Sequence, residues 1–511
     1  MTATRKVLFY NWEPAFAANR RGGGVSVYQD NCISRLLNRG WQVHSLSAGT
    51  AYDLTRSNPY ITRTADGKDS HVGFVLANSP VVAPAFYSHF INQVTSGESS
   101  DRAVANAIIS FVRMNGPYDV FHFNNLEGLP AAVLPMLRQE FRDTRFVFFV
   151  HNYYLMCPQV NLWKNDSRNC DGKEGGQACC SCLGKDALAN FNARASNVAS
   201  DAAMSAVIFG NQRWPQSSFV RRVIRKGLRL GGAREFLSFL RRRIGSPLPF
   251  EAKNKLRPDD LPAYFRDREQ NLVSIMNENF DVVLCDSERV RVISVTAGIS
   301  ASKCKTSYPG TLVYRTPLPI HKPSSATPLK LAFLGVAIVK NKGLDFLIGA
   351  LEQCPDALLS KLHLVLAAKW VYQKSGNRER LSALGDRLSG LTIKDGYSHG
   401  ELGELLADVD LGVVPNLWED CYPQVAVEFV CNGIPIIISN LGGAKEISSN
   451  PDFEFDVGTH AGLIKLIDKF ANDKQKLLSF WNKEPAIFSM DAHIDELLEY
   501  YGSHNIAVAQ S

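Results

Sequence analysis

Strand-like apolar runs recur along this chain, and a stretch of helical periodicity follows each one. Lys6-Val-Leu-Phe-Tyr10 opens the series. Arg21-Gly-Gly-Gly-Val25 follows as a glycine loop, and Val27, Cys32, Ile33, Leu36 and Leu37 then recur at helical spacing until Asn38-Arg39-Gly40. Trp41–Leu46, Tyr118–Phe123 and Arg145–Val150 read as further strands, with helices over 103–112 and 133–138. Strands that alternate with helices, and are apolar on both sides, predict a parallel sheet covered on both faces. The alternation breaks between about 152 and 265. It resumes with a helix at Glu269–Glu278 and a strand at Phe280–Cys285.

A second series begins beyond a Pro- and Ser-rich stretch. Strands are expected at Leu329–Leu334, His363–Ala367, Leu391–Ile393, Leu411–Val414 and Ile434–Ile438, with a helix at Leu344–Glu352. The expected organisation is a Rossmann-like α/β domain over 1–316 and a linker over 317–328. A second Rossmann-like domain covers 329–490, and a last helix over 491–511 packs back on the first domain. The chain has 511 residues, enough for two or three domains. No run of about 20 apolar residues is present, and the N-terminal apolar stretch is short for a secretory signal. The expected location is therefore the cytoplasm.

The richest segment is Asp410–Ser439. Its strand ends at Val414, a loop carries Glu419 and Asp420, and a helix from near Gln424 brings Glu428 to the same crevice. Carboxylates there can accept strong bonds from sugar or ribose hydroxyls, and free amides at a helix start suit phosphate. The segment resembles the retaining glycosyltransferases of family 4, which have the GT-B fold. Their mark is two acids with seven residues between them, then a helix, a Gly-x-Pro and an apolar strand. Here these are Asp420, Glu428 and Gly433-Ile-Pro435, with Asp in place of the usual first Glu. The resemblance implies that Asp420 touches the donor sugar and Glu428 the ribose. The amides near Cys421, Tyr422 and Gln424 would lie by the sugar and diphosphate.

Phe333–Gly343 is similar to the family's phosphate loop, whose Lys-Gly matches Lys342-Gly343. Val336 stands where an Arg is frequent, and Lys340 is a candidate replacement. By the same resemblance Gly22, Gly23 and Gly24 approach the donor across the cleft, and His151 sits near the reacting sugar. Gly442-Gly443-Ala-Lys-Glu446 matches a Gly-rich turn that opens a late helix. His151, Asp420 and Lys342 are the implied catalytic set. The donor is a UDP- or GDP-sugar, the acceptor a glycan or lipid-linked glycan, and transfer needs no bound divalent ion. Two alternatives stay open: a nucleotide-sugar epimerase of the same fold, and a non-catalytic membrane-associated scaffold.

The break at 152–265 has two features of its own. Cys157, Cys170, Cys179 and Cys182 follow a C-x12-C-x8-C-x2-C spacing in a polar, Gly-rich stretch. Thiolates so spaced suit a structural Zn²⁺, with an iron–sulfur cluster as the second reading and plain reduced thiols as the third. Residues 211–250 hold ten Lys/Arg and one acid. The whole chain carries only +6, so the rest of it is slightly acidic. Apolar residues alternate with these cations at helical spacing, which suits an anionic membrane surface, on the inner face of the membrane. No nucleic-acid module is evident.

Overall fold

The computed structural model describes all residues except 1–3, 18–22, 54–55, 57, 65–70, 82, 84–97, 166, 184–206, 210–211, 214–257, 324–327, 337–338, 370, 372–375 and 503–511. Gly22 and nearly all of the basic segment 211–250 therefore lie outside the described residues.

The N-terminal sheet has eight strands. In chain order they are β1 (Lys6–Tyr10), β2 (Gln42–Ala48), β3 (Tyr60–Arg63), β4 (Val72–Ala77), β5 (Val120–Phe123), β6 (Arg145–Val150), β7 (Val282–Cys285) and β8 (Cys304–Thr306). Their order across the sheet is β8-β7-β6-β5-β1-β2-β4-β3. All neighbours are parallel except the edge pair β3–β4. That antiparallel edge departs from the all-parallel expectation. Residues 60–63 alternate too little to announce a strand, and their partner supplies the pairing.

The central strands are mainly apolar because both faces are covered. Leu8 and Tyr10 enter one core with Phe146, Phe148 and Val283. Val7 and Phe9 enter another with Val147, Phe149 and Leu284. Helix α1 (Gly24–Asn38) lies on the second face, while α2 (Glu98–Asn115), α3 (Val133–Glu140) and α4 (Leu261–Asn279) serve the first. Helix α5 (Glu288–Thr296) follows β7.

The C-terminal sheet holds β9 (Leu329–Val336), β10 (Leu362–Lys369), β11 (Gly390–Lys394), β12 (Leu411–Val414), β13 (Ile436–Ser439) and β14 (Glu454–Phe455). Their order is β11-β10-β9-β12-β13-β14, all parallel. The chain runs outward in one direction from β9 and then in the other from β12. Open sheets bind ligands at such a switch point, beyond the carboxyl ends of the strands. The loops after β9 and β12 carry Lys340–Lys342 and Asp420. Helices α6 (Leu344–Glu352), α7 (Gln424–Cys431) and α8 (Ala444–Ser448) follow β9, β12 and β13.

Helix α9 (Met490–Tyr500) returns to the first domain. Met490, Ile494 and Leu497 share one face and join the core against α1. Tyr28 Oη bonds His493 Nε2 at 2.8 Å, and Tyr501 Oη bonds His122 Nδ1 at 2.8 Å.

Buried imidazoles give this domain a pH dependence. Burial pushes His44 and His71 down to about 4 and His122 to about 3. Such groups stay neutral in the fold but take a proton near pH 6.5 when unfolded. Below about pH 6.5 the unfolded chain binds more protons, so stability falls as pH falls. Thermal melts should therefore show a lower Tm at pH 5 than at pH 7. A higher Tm at pH 5 would contradict the buried neutral state.

Candidate functional site

Strand β9 ends in a 3-10 turn, Lys340–Lys342, closed by Gly343. Gly343 has φ +78°, and a Cβ there would lie 1.8 Å from Pro415 O. Only glycine lets this loop lie so close to the one after β12. Leu417 N–H donates to Asn341 O at 2.8 Å and ties the two loops together.

The Lys342 ammonium then donates to Asp420 Oδ2 at 2.6 Å and stands 5.2 Å from the centre of the Trp418 ring. Asn416 Nδ2 donates to the same Asp420 oxygen at 2.8 Å. Asp420 is only 6% exposed, whereas about a third of the Lys342 side chain is open. The cation thus has one side held and one side free for an anion.

Helix α7 begins after Pro423 with no side chain capping it. Its first amides are the orphan donors that every helix start presents. Glu428, 6% exposed, accepts from Tyr397 Oη at 2.7 Å and lies 3.1 Å from His399 Nε2. Neither partner had a sequence signal; both sit in the turn after β11.

Cys421 and Tyr422 turn their side chains away from this loop. The Cys421 thiol packs into the N-terminal core beside Tyr153, and burial pushes it well above the usual thiol value. Tyr422 Oη donates to Ala486 O at 2.5 Å. Only their backbone is left for a ligand. Lys340 is exposed.

Across the cleft, Gly23 has φ +61° and Gly24 starts α1. A Cβ on Gly24 would stand 3.5 Å from Gln424 Cγ, so the N-terminal glycine loop meets the start of α7. His151 follows β6. Its Nε2 lies 3.2 Å from Asn124 Oδ1, and its ring packs on Phe149 and Tyr28. Burial, then His122 and His493, hold its pKa well below the usual imidazole value. An amide oxygen only accepts, so the neutral ring carries its hydrogen on Nε2 and leaves Nδ1 with a lone pair.

The domain contact contains residues that the sequence reading had not singled out. Arg289 on α5 grips Glu419 through Nε at 2.9 Å and Nη2 at 2.6 Å. Glu446 on α8 accepts from the amides of Glu288 and Arg289 at 2.9 and 2.8 Å, and from Tyr308 Oη at 2.8 Å. A carboxylate from one domain thus caps a helix of the other, where the helix dipole favours negative charge. Asp286 lies buried beside this contact, 4% exposed, with Oδ1 lacking a partner. Burial, then Asp420 and Glu446, push it well above the usual carboxylate range. Losing both grips should open the cleft. The double variant Arg289→Ala/Glu446→Ala should show a larger radius of gyration by small-angle scattering. An unchanged radius would show that other contacts hold the domains.

The four cysteines Cys157, Cys170, Cys179 and Cys182 line one cavity. Among the described residues no group of three or more His, Cys, Asp or Glu side chains is already set to hold a metal ion. Also among the described residues, no helix is long and apolar enough to cross a membrane.

Residues 321–484 match the model of the glycosyl transferases group 1. Solved structures extend the likeness over the whole chain. HepE of Anabaena, in complex with UDP and glucose, aligns with TM-score 0.53 and 14% identity, over 98% of this chain and all of the other. Sucrose-phosphate synthase from Thermosynechococcus elongatus aligns at 0.53 and 15%, over 98% of each. α,α-Trehalose 6-phosphate synthase from Burkholderia multivorans aligns at 0.52 and 11%, over 98% of each. No curated protein matches the chain in sequence. The fold is GT-B, with two Rossmann-like domains facing a cleft. Within it, residues 321–484 of the C-terminal domain are similar to the group 1 glycosyl transferases.

Proposed function

We propose that this protein is a retaining glycosyltransferase. It moves a sugar from a UDP- or GDP-sugar to a glycan or lipid-linked glycan, in the synthesis of cell-surface polysaccharide. One observation carries this reading. Lys342, Asp420, Glu428 and the uncapped start of α7 meet at the switch point of the C-terminal sheet, opposite Gly23-Gly24 and His151.

The diphosphate lies between Lys342 and the first amides of α7, where charge that builds up as the bond breaks is stabilised. Glu428 accepts hydrogen bonds from the ribose hydroxyls, and Asp420 and His151 flank the sugar. The acceptor enters from the N-terminal domain and attacks on the face that the diphosphate leaves. The leaving phosphate then takes the acceptor's proton, so configuration is retained. Closure of the domains holds both substrates at reacting distance.

The UDP ligand of HepE supports a uridine donor by analogy of fold. The lipid-linked acceptor rests on the basic segment 211–250, which would hold the protein at the inner face of a membrane.

Thermal-shift screening of UDP-, GDP- and dTDP-sugars tests the reading. One class should raise the Tm of the wild type, and the rise should vanish in Glu428→Ala with its own Tm nearly unchanged. Equal shifts in both proteins would remove Glu428 from the donor site. A transfer assay with and without acceptor then separates a transferase from an epimerase.

A further inference from the structure

We infer that Cys157, Cys170, Cys179 and Cys182 bind one Zn²⁺ that holds the loop beside His151 in shape. The inference is independent of the sugar-transfer reading. It starts from placement. The four sulfurs come from three separate pieces of the segment 151–183 and line one cavity, walled by Leu162 and Trp163. Cys157 follows a tight turn, its N–H donating to Tyr153 O at 2.7 Å. Cys170 ends a short hairpin, its N–H donating to Leu162 O at 2.7 Å. Cys179 and Cys182 sit three apart on the helix Gln177–Leu183 and so share a face. Cys180 is turned elsewhere, its thiol 3.5 Å from Gly176 O.

Cys182 Sγ accepts from Asn165 N–H at 3.2 Å and from Gln159 Nε2 at 3.0 Å. Lys164 and Lys173 also line the cavity. Lys164 pairs with Asp171, and Lys173 with Glu269, so the polar wall of the cavity is itself held in place. The space open to the centre of a water-sized sphere is about 20 Å³. That is room for about one such sphere. The thiols surround this space without having closed on it. Closure needs rotation about side-chain bonds between staggered wells, and metal binding drives such local ordering.

The loop so tied is part of the wall beside His151. Tyr153 and Tyr154 are fully buried, and Arg268 donates to Tyr154 O at 2.6 Å from helix α4. A Cβ on Gly176 would lie 2.0 Å from Pro262 O, so the cysteine module is pressed against the same helix.

The test is the metal content of the full chain, purified without chelators and read by plasma mass spectrometry. About one zinc per chain is expected. Cys179→Ser and Cys182→Ser should lose it, and Cys180→Ser should keep it. Should the serine variants fail to fold, wild type loaded with Co²⁺ decides: a tetrathiolate site gives intense sulfur-to-cobalt charge-transfer absorption. Wild type free of zinc and without those bands overturns the proposal. So does iron with broad visible absorption, or retention of zinc in both Cys179→Ser and Cys182→Ser.

Discussion

Replacing Lys342 with alanine is expected to lower the turnover rate of sugar transfer by about 10²–10³. The cation is preorganised. Its nitrogen is held by Asp420 at 2.6 Å and lies near the face of Trp418, and Gly343 presses its loop against Pro415. A group held in this way spends little free energy on reorganising when charge develops on the leaving diphosphate. The charge it meets exists mainly in the transition state, so turnover should fall further than donor affinity. The variant also leaves Asp420 buried with Asn416 as its remaining side-chain partner among the bonds described above. Some loss of Tm is therefore expected as well. A Lys342→Ala enzyme with lowered Tm but normal turnover would make the lysine a structural partner of Asp420 and nothing more.

Asp410→Ala should destabilise the C-terminal domain by about 3–5 kcal/mol. Asp410 and Lys474 form an ion pair at 2.7 Å with both side chains 5% exposed. Asp410 also accepts from Lys330 N–H at 2.9 Å, at the start of β9. Removing the carboxylate leaves an ammonium buried, and the cost is mostly the desolvation of that charge. The effect reaches the site because Asp410 directly precedes β12, whose far end carries Asp420. Urea unfolding followed by far-UV circular dichroism measures it. The apolar double change Asp410→Leu/Lys474→Met should recover most of the loss, since it removes both buried charges. A cost under about 1 kcal/mol for Asp410→Ala would place this pair with ordinary surface bridges.

The legibility of the fold varied with burial. Strands such as Arg145–Val150, apolar after its first residue, and Leu411–Val414 are covered on both faces, and they stand out in the sequence. The edge strand at 60–63 and its neighbour at 72–77 did not. An edge strand takes its order from its neighbour, and Val72–Ala77 is preceded by a stretch with no periodicity. Helix α4 begins at Leu261, eight residues before the expected start, because Leu261 and Phe265 pack under the cysteine module.

The site was legible in part. The family resemblance marked Lys342, Asp420 and Glu428, and the structure brings Lys342 and Asp420 into contact. Arg289 and Asp286 were not marked. They lie more than a hundred residues from Glu419 and Asp420, and the pairing depends on how one domain meets the other.

The sequence alone determined two doubly wound domains and the loops that carry their chemistry. Alternating apolar runs, glycines and paired acids are local properties, and local spacing sets which element forms and which residues end its strands. Only the tertiary structure decided which partners those residues keep. It turned the Cys421 side chain into the other domain's core, gave Glu446 to the start of α5, and gathered four cysteines around one cavity. The first two of these contacts join segments far apart in the chain. Their free energy comes from burial and from satisfying polar groups across an interface, and no window of sequence contains both sides of it.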